Sequence, residues 1–195
     1  MKSSICLQKI GTLKPEVLIK LKNNIEQTFS HFNIGIKINP SALHLHTTEY
    51  NAKRSQYNAS KILKKLMKTS QNTRSFRTLG VLDEDIYKNK LNFVFGLAHK
   101  TMGIAVISIT RLRDDFYIEK GSVHRQIEPE EILDLRILKE AIHELGHTFG
   151  LPHCKNYCIM QFSNSLIDTD NKPKEFCESC LTNLENFFNK SGQNS

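Results

Sequence analysis

The 195-residue sequence has no apolar stretch near the roughly 18 residues that a membrane-spanning helix needs. It has no internal repeat and no low-complexity linker, and residues 1–7 are too short and too polar for a secretory signal. A hydrophobic content of 39% with 24% charged residues excludes collagen-like, coiled-coil and largely disordered chains. We therefore expect a cytoplasmic globular protein of one or two lobes, with no membrane partner.

The charge balance is basic, with 27 lysines and arginines against 20 acidic residues and a net charge of +7. The lysines lie singly or in pairs, as at Lys61, Lys64, Lys65 and Lys68, and no basic stripe alternates with aromatic residues. This pattern is typical of a solvated surface, and no nucleic-acid partner is expected.

Apolar periodicity alternates between strand-like and helix-like segments along the chain. It predicts strands at residues 3–9, 34–38, 43–46, 78–82, 91–97 and 103–109, and helices at residues 15–32, 58–68, 129–149 and 178–189. In the strand at 43–46, His44 and His46 would share one face. Residues 111–128 are predicted to form a surface loop. The alternation favours an α/β fold with a mixed sheet and helices on its faces.

The sequence His143-Glu144-Leu145-Gly146-His147 lies near the end of the helix predicted at 129–149. Two histidines four residues apart share one helical face, so both imidazoles can reach a single metal ion. Glu144 lies beside that face, where a carboxylate can take a proton from a metal-bound water. Gly150 lets the chain turn back, which would bring His153 to the same metal.

Four of the five cysteines form two close pairs near the C-terminus, Cys154 with Cys158 and Cys177 with Cys180. In a chain without a secretory signal, this spacing indicates a four-thiolate structural zinc site before it indicates disulfides. Disulfide pairing and free thiols stay open as alternatives. Cys6, on the first predicted strand, is expected to be a buried apolar side chain.

Residues 143–154, HELGHTFGLPHC, together with Cys158-Ile159-Met160 and Cys177-x-x-Cys180, resemble the archaemetzincins. These are metzincin-type zinc metallopeptidases that carry a second, structural zinc. The similarity continues upstream at Gln56-Tyr57, at residues 92–98 and at Ser108 with Arg111-Leu112, so it covers nearly the whole chain.

The resemblance implies a metzincin-type zincin of the α/β (α+β) class, with a twisted mixed sheet, an active-site helix and a small zinc-stabilised C-terminal lobe. Residues 1–150 would form the N-terminal lobe and residues 151–195 the C-terminal lobe, with Met160 as the methionine of the Met-turn. It further implies that the chain binds two zinc ions and that one of its residues is the general base. The catalytic zinc would bind His143, His147 and His153, the structural zinc would bind Cys154, Cys158, Cys177 and Cys180, and Glu144 would be the base.

The activity implied by the resemblance is hydrolysis of peptide bonds by a zinc-bound water, on short peptides, in an aminopeptidase-like or endopeptidase manner. Residues 103–109 would be the strand above the cleft, able to bind an extended peptide as an added strand. A monomer is expected. Two alternatives are a non-hydrolytic zinc protein that binds peptides or a protein partner, and a nucleic-acid-binding module built on the four-cysteine site.

Overall fold

The computed structural model describes residues 4–70, 75–121 and 129–192. Its strands and helices alternate along the chain, as in other α/β folds. The strands are β1 (Ser4–Ile10), β2 (Gly35–Ile38), β3 (Tyr50–Asn51), β4 (Gln56–Asn58), β5 (Arg77–Leu82), β6 (Ile86–Tyr87), β7 (Gly96–His99) and β8 (Ile104–Ser108). The helices are α1 (Pro15–Thr28), α2 (Ala59–Ser70), α3 (Asp115–Glu119), α4 (Glu130–Thr148), α5 (Leu166–Asn171) and α6 (Glu178–Gly192).

The main sheet has five strands in the order β2-β1-β5-β8-β7. The first four are parallel to one another, and β7 runs antiparallel to β8 at the edge, so the sheet is mixed as expected. A smaller sheet joins β3, β4 and β6. Strands β1, β5 and β8 are almost fully buried, which is typical of parallel strands covered on both faces.

Helices cover both faces of the sheet, and an apolar cluster lies between the sheet and the helices on each face. On one face, α1 and α4 pack through residues such as Leu21, Ile25 and Ile142. On the other face, α2 packs through Ile62 and Leu66. The first cluster also takes in residues beyond position 150, including Cys158, Ile159, Met160 and Leu184. The division of the chain at Gly150 into two lobes stays a prediction.

Several predicted elements differ from those in the structure. The predicted strand at 43–46 is wrong, because Leu43 forms only an isolated bridge to Ile10, and His44 and His46 are exposed beside it. The predicted strand at 91–97 is displaced to Gly96–His99, since the apolar residues before Gly96 fill the two clusters without forming a ladder.

Short helices and 3₁₀ turns contain too few residues for their apolar periodicity to be recognised in the sequence. The loop predicted at 111–128 contains a 3₁₀ turn at Thr110–Leu112 and the five-residue α3, while residues 122–128 lie outside the described chain. The predicted helix at 15–32 ends at Thr28, and a separate 3₁₀ turn follows at Ser30–Phe32. Across the described residues, no helix is both long and apolar enough to cross a bilayer.

Candidate active site and metal clusters

Helix α4 carries two of the three clustered histidines on its last two turns. It begins after Pro129, with Glu130 and Glu131 in its first turn, where negative charge is favourable. From Arg136 to Gly146 every residue is buried, which fixes the rotation of the helix against the sheet. The helix is followed by Gly150, whose φ of 99° lies in the left-handed region and turns the chain back.

The turn at Gly150 brings His153 beside His143 and His147. The possible ligand atoms of the three imidazoles all lie within 4.8 Å of one another. The Nε2 atoms of His143 and His147 are 3.1 Å apart. Two nitrogens on a tetrahedral zinc with ordinary Zn–N bonds lie about 3.3 Å apart, so this separation suits a zinc ion.

Backbone carbonyls orient two of these rings. Nδ1 of His143 lies 3.1 Å from the carbonyl of Ile159, and Nδ1 of His147 lies 2.8 Å from the carbonyl of Leu151. An Nδ1–H donated to a carbonyl leaves Nε2 with its lone pair, which is the tautomer that binds a metal. Burial lowers the pKa of all three histidines, which keeps the imidazoles neutral. The three rings therefore fit a metal ion.

Glu144 lies in the same cavity as the histidines and is 6% exposed. Burial, followed by the nearby carboxylate of Glu140, raises the pKa of Glu144 to about 8. Across the cavity, Glu144 approaches the backbone of Gly96 so closely that a Cβ atom at Gly96 would lie 2.5 Å from its Cγ. The carboxylate is thus held between α4 and β7, beside the histidine cluster.

Met160 lies against the underside of the same helix. It is fully buried, and its sulfur packs against Gly146 between the two helical histidines. The carbonyl of Met160 accepts a hydrogen bond of 2.9 Å from the amide of Cys154. This position beneath the histidine cluster agrees with the Met-turn that the resemblance implies.

The four cysteines Cys154, Cys158, Cys177 and Cys180 form a second cluster, whose sulfur atoms all lie within 4.8 Å of one another. Two of them, Cys154 and Cys177, have sulfur atoms 3.7 Å apart, close to the roughly 3.8 Å edge of a tetrahedral Zn–S₄ site. All five cysteines of the chain are free thiols, so the disulfide alternative finds no support.

Backbone amides point at the sulfur atoms of this cluster, as they do at thiolate ligands. The amides of Cys177 and Met160 lie 3.3 Å and 3.5 Å from the Sγ of Cys158. A hydrogen bond from the amide of Cys180 lowers the pKa of the Cys177 thiol to about 6. These donors stabilise the charged thiolate, the form that binds zinc.

The cavity around the histidines has a volume of about 540 Å³ and lies between α4, the segment after Gly150 and β7. The prediction that residues 103–109 would bind an added strand is wrong, because β8 is already paired with β5 and with β7. Among the residues that the structure describes, β7 pairs only with β8, so its other edge is free, and its residues Gly96, Leu97 and Ala98 line the cavity.

A buried ion pair includes Glu140, a residue that lines the cavity, and the sequence analysis did not predict it. Nζ of Lys172 lies 2.7 Å from Oε1 of Glu140, and their side chains are 1% and 4% exposed. Thr169 donates a further hydrogen bond to the same oxygen. The available signal was the position of Glu140, one helical turn before Glu144.

Several other titratable side chains are not part of either cluster. His44, His46 and His99 contribute to neither cluster, and His124 lies outside the described residues. Cys6 is 3% exposed in β1, which confirms its predicted burial. Asp83 and Asp85, two carboxylates in a turn, are ion-paired with Arg113 and Arg111.

Comparison with known proteins gives close matches over most of the chain. The sequence model of peptidase family M54 matches residues 11–186. The archaemetzincin of Pyrococcus furiosus is 41% identical over 187 residues, which cover 95% of this chain and 94% of that protein. The archaemetzincin of Methanocaldococcus jannaschii is 40% identical over 182 residues, covering 93% and 92%.

Solved structures agree in fold as well. The crystal structure of the Archaeoglobus fulgidus archaemetzincin, in complex with malonate, matches with a TM-score of 0.75 at 35% identity, covering 92% of this chain and 99% of that one. The structure of a zinc-dependent peptidase from Methanocorpusculum labreanum matches with a TM-score of 0.79 at 26% identity, again over 92% and 99%.

Proposed function

The chain belongs to the archaemetzincin family, peptidase family M54, and is a zinc metallopeptidase; from this premise we propose that it cleaves peptide bonds in the cleft between β7 and α4. The substrates in this proposal are short peptides, cut in an aminopeptidase-like or endopeptidase manner. The observation that carries the proposal is the convergence of three imidazoles and the Glu144 carboxylate in one cavity beside an unpaired strand edge.

We assign the catalytic zinc to His143, His147 and His153, and a structural zinc to Cys154, Cys158, Cys177 and Cys180. The donor sets support this assignment, because three nitrogens leave one position open for chemistry while four thiolates close the coordination shell. His153 and Cys154 are neighbours in the chain, so the four-cysteine site braces the segment that presents the third histidine. The lobe formed by residues 151–195 is organised around that second site.

Different parts of the chain have different roles in hydrolysis. Zinc, when bound, polarises the scissile carbonyl and makes a water molecule more acidic. Glu144 accepts the proton from the attacking water and passes it to the departing amine, since its carboxylate lies beside the histidines. The free edge of β7 holds the peptide by main-chain hydrogen bonds, which make few demands on its side chains.

The Glu144→Gln variant tests this proposal. We expect it to keep its zinc and its fold but to lose about 10²- to 10⁴-fold in kcat, because an amide cannot accept the proton. The measurements are zinc content by elemental analysis and cleavage of a mixed peptide library followed by mass spectrometry.

The matched control is Glu131→Gln, an exposed residue in the first turn of the same helix. It should leave turnover unchanged. Native turnover in Glu144→Gln would remove this residue from the mechanism, and zinc-loaded protein that cleaves no peptide would contradict the proposed activity.

A further inference from the structure

A second groove lies on the opposite face of the edge strand from the histidines. It has a volume of about 220 Å³ and runs between α2 and β7. Leu63 and Met67 of α2, Leu97 of β7 and Ile104 of β8 form its apolar floor. Lys88, Leu97 and Ala98 line both cavities, so the two adjoin at β7.

The side chains of β7 alternate between the two faces. Ala98 packs with the cluster under α4, and Leu97 packs with the cluster under α2. A peptide added to the free edge of β7 has the same alternation, with successive side chains on opposite faces of the extended sheet. When one peptide side chain enters the cavity of the histidines, its neighbour therefore falls on the side of the α2 groove.

The charges at the mouth of this groove are all positive. Lys64 and Lys88 line it, both are exposed, and neither forms an ion pair with any residue that the structure describes. No acidic side chain is among the described residues that line the groove. The groove thus combines an apolar floor with two lysine ammonium groups at its rim.

We infer that this groove is a substrate subsite for a glutamate side chain, next in the peptide to the residue that enters the catalytic cavity. The methylene groups of glutamate cover the apolar floor, and its carboxylate reaches the lysines at the rim. Aspartate has one methylene group fewer to cover the floor, and lysine or arginine would meet like charge. This inference rests on the proposed peptide cleavage and adds a selectivity to it.

The test uses a mixed library of decapeptides with free amino termini and two readouts. Zinc-loaded native chain is given the library and the products are aligned on the cleaved bond. Immobilised, zinc-loaded Glu144→Gln is given the same library and the retained peptides are sequenced. We expect glutamate to be enriched over lysine at one position, in both readouts.

Lys64→Glu, made in both backgrounds, should reduce that glutamate-to-lysine ratio by about fivefold at this one position, since it reverses a charge at the rim. The matched control is Lys68→Glu, which is exposed one turn further along α2 and does not line the groove. It carries the same change in net charge and should leave the ratio unchanged.

The outcomes separate this inference from the proposed function. A ratio that responds to Lys64→Glu among retained peptides supports the subsite even when no peptide is cleaved, and in that case the proposed hydrolysis fails alone. Peptide cleavage with Lys64→Glu and Lys68→Glu giving the same ratios overturns the subsite and leaves the hydrolysis standing. Equal ratios without any cleavage overturn both.

Discussion

The backbone of Gly96 lies so close to Glu144 that a side chain at position 96 would disturb the active site. A Cβ atom at position 96 would lie 2.5 Å from Cγ and 2.6 Å from Oε1 of Glu144. Such contacts are far inside van der Waals distance, so one of the two groups must move. The position of the carboxylate is therefore set by a backbone on another element as well as by its own helix.

We expect Gly96→Ala to lower kcat by about 10- to 100-fold while zinc content stays native, because Glu144 is pushed away from its place beside the histidines. Steady-state cleavage and elemental analysis measure the two quantities. Thr101→Ala, at an exposed position just after β7 that lines neither cavity, is the control and should change little. Native kcat in Gly96→Ala would show that the carboxylate has room to adjust.

The metal clusters were predictable at the residue scale because their spacing is local. Two histidines four apart share a helical face in any α-helix, and a glycine in the left-handed region can return the chain within a few residues. His143, His147, His153 and the four cysteines are accordingly all brought together as the pattern predicts. Gly96 was not predictable, since its contact joins residues 48 positions apart in the sequence.

At the scale of elements, the sequence placed the edge strand at 91–97 because that run is apolar. An apolar run alone does not show that a segment pairs as a strand. Residues 91–97 are rich in apolar side chains, but the ladder with β8 begins only at Gly96. The resemblance also implied peptide binding by residues 103–109, and the pairing of β8 on both sides excludes them. Strand order depends on long-range packing, which a single sequence does not display.

Helix α4 is joined to Lys172, the residue that follows α5, by the buried ion pair with Glu140, which gives a test of stability at this scale. Lys172→Met should lower the free energy of unfolding by about 3–5 kcal/mol, because it leaves a carboxylate buried without its partner. Glu140→Gln with Lys172→Met should recover much of this loss. Urea denaturation measures both, with the exposed Lys174→Met as control.

A loss no greater in Lys172→Met than in Lys174→Met would mean that water reaches Glu140 and replaces the ammonium group. A double variant no more stable than the single one would assign the loss to packing of the lysine stem. Either result would show that the ion pair does not stabilise the packing of Lys172 against α4.

The C-terminal cysteines offer a second test at the element scale. Cys177→Ser should lower the Tm by at least about 5 °C, because a structural zinc contributes folding free energy to the segment that it closes. Differential scanning calorimetry with elemental analysis measures this. Cys6→Ala removes a thiol outside the cluster and should keep full zinc content. An unchanged Tm and zinc content in Cys177→Ser would contradict the four-cysteine assignment.

For the whole molecule, we expect close to two zinc ions per chain, and we expect a mild chelator to remove them in two stages. The histidine site leaves one coordination position open, so it should lose zinc first, with loss of turnover and little change in Tm. The closed four-cysteine site should follow, with a fall in Tm. Zinc counted by elemental analysis at each stage, beside activity and calorimetry, checks the order.

A single zinc in freshly purified protein would mean that one site is empty or misassigned, and Cys177→Ser would identify which. Simultaneous loss of both ions would show that the adjacent ligands His153 and Cys154 make the two sites one unit. Protein that retains no zinc after purification without chelators would leave the proposed hydrolysis without its metal.

The edge of β7 that is unpaired among the described residues could also pair with another copy of the protein. A row of free backbone amides and carbonyls that accepts a peptide also accepts the same edge of another copy, which is the usual start of strand-mediated aggregation. Here the edge has only four residues, it ends at His99 next to Lys100, and Lys88 lines both cavities beside it. Two copies aligned edge to edge would bring these lysines together in a chain that already carries a net charge of +7. The same positive rim that favours an acidic ligand would thus keep the protein colloidally stable at high concentration.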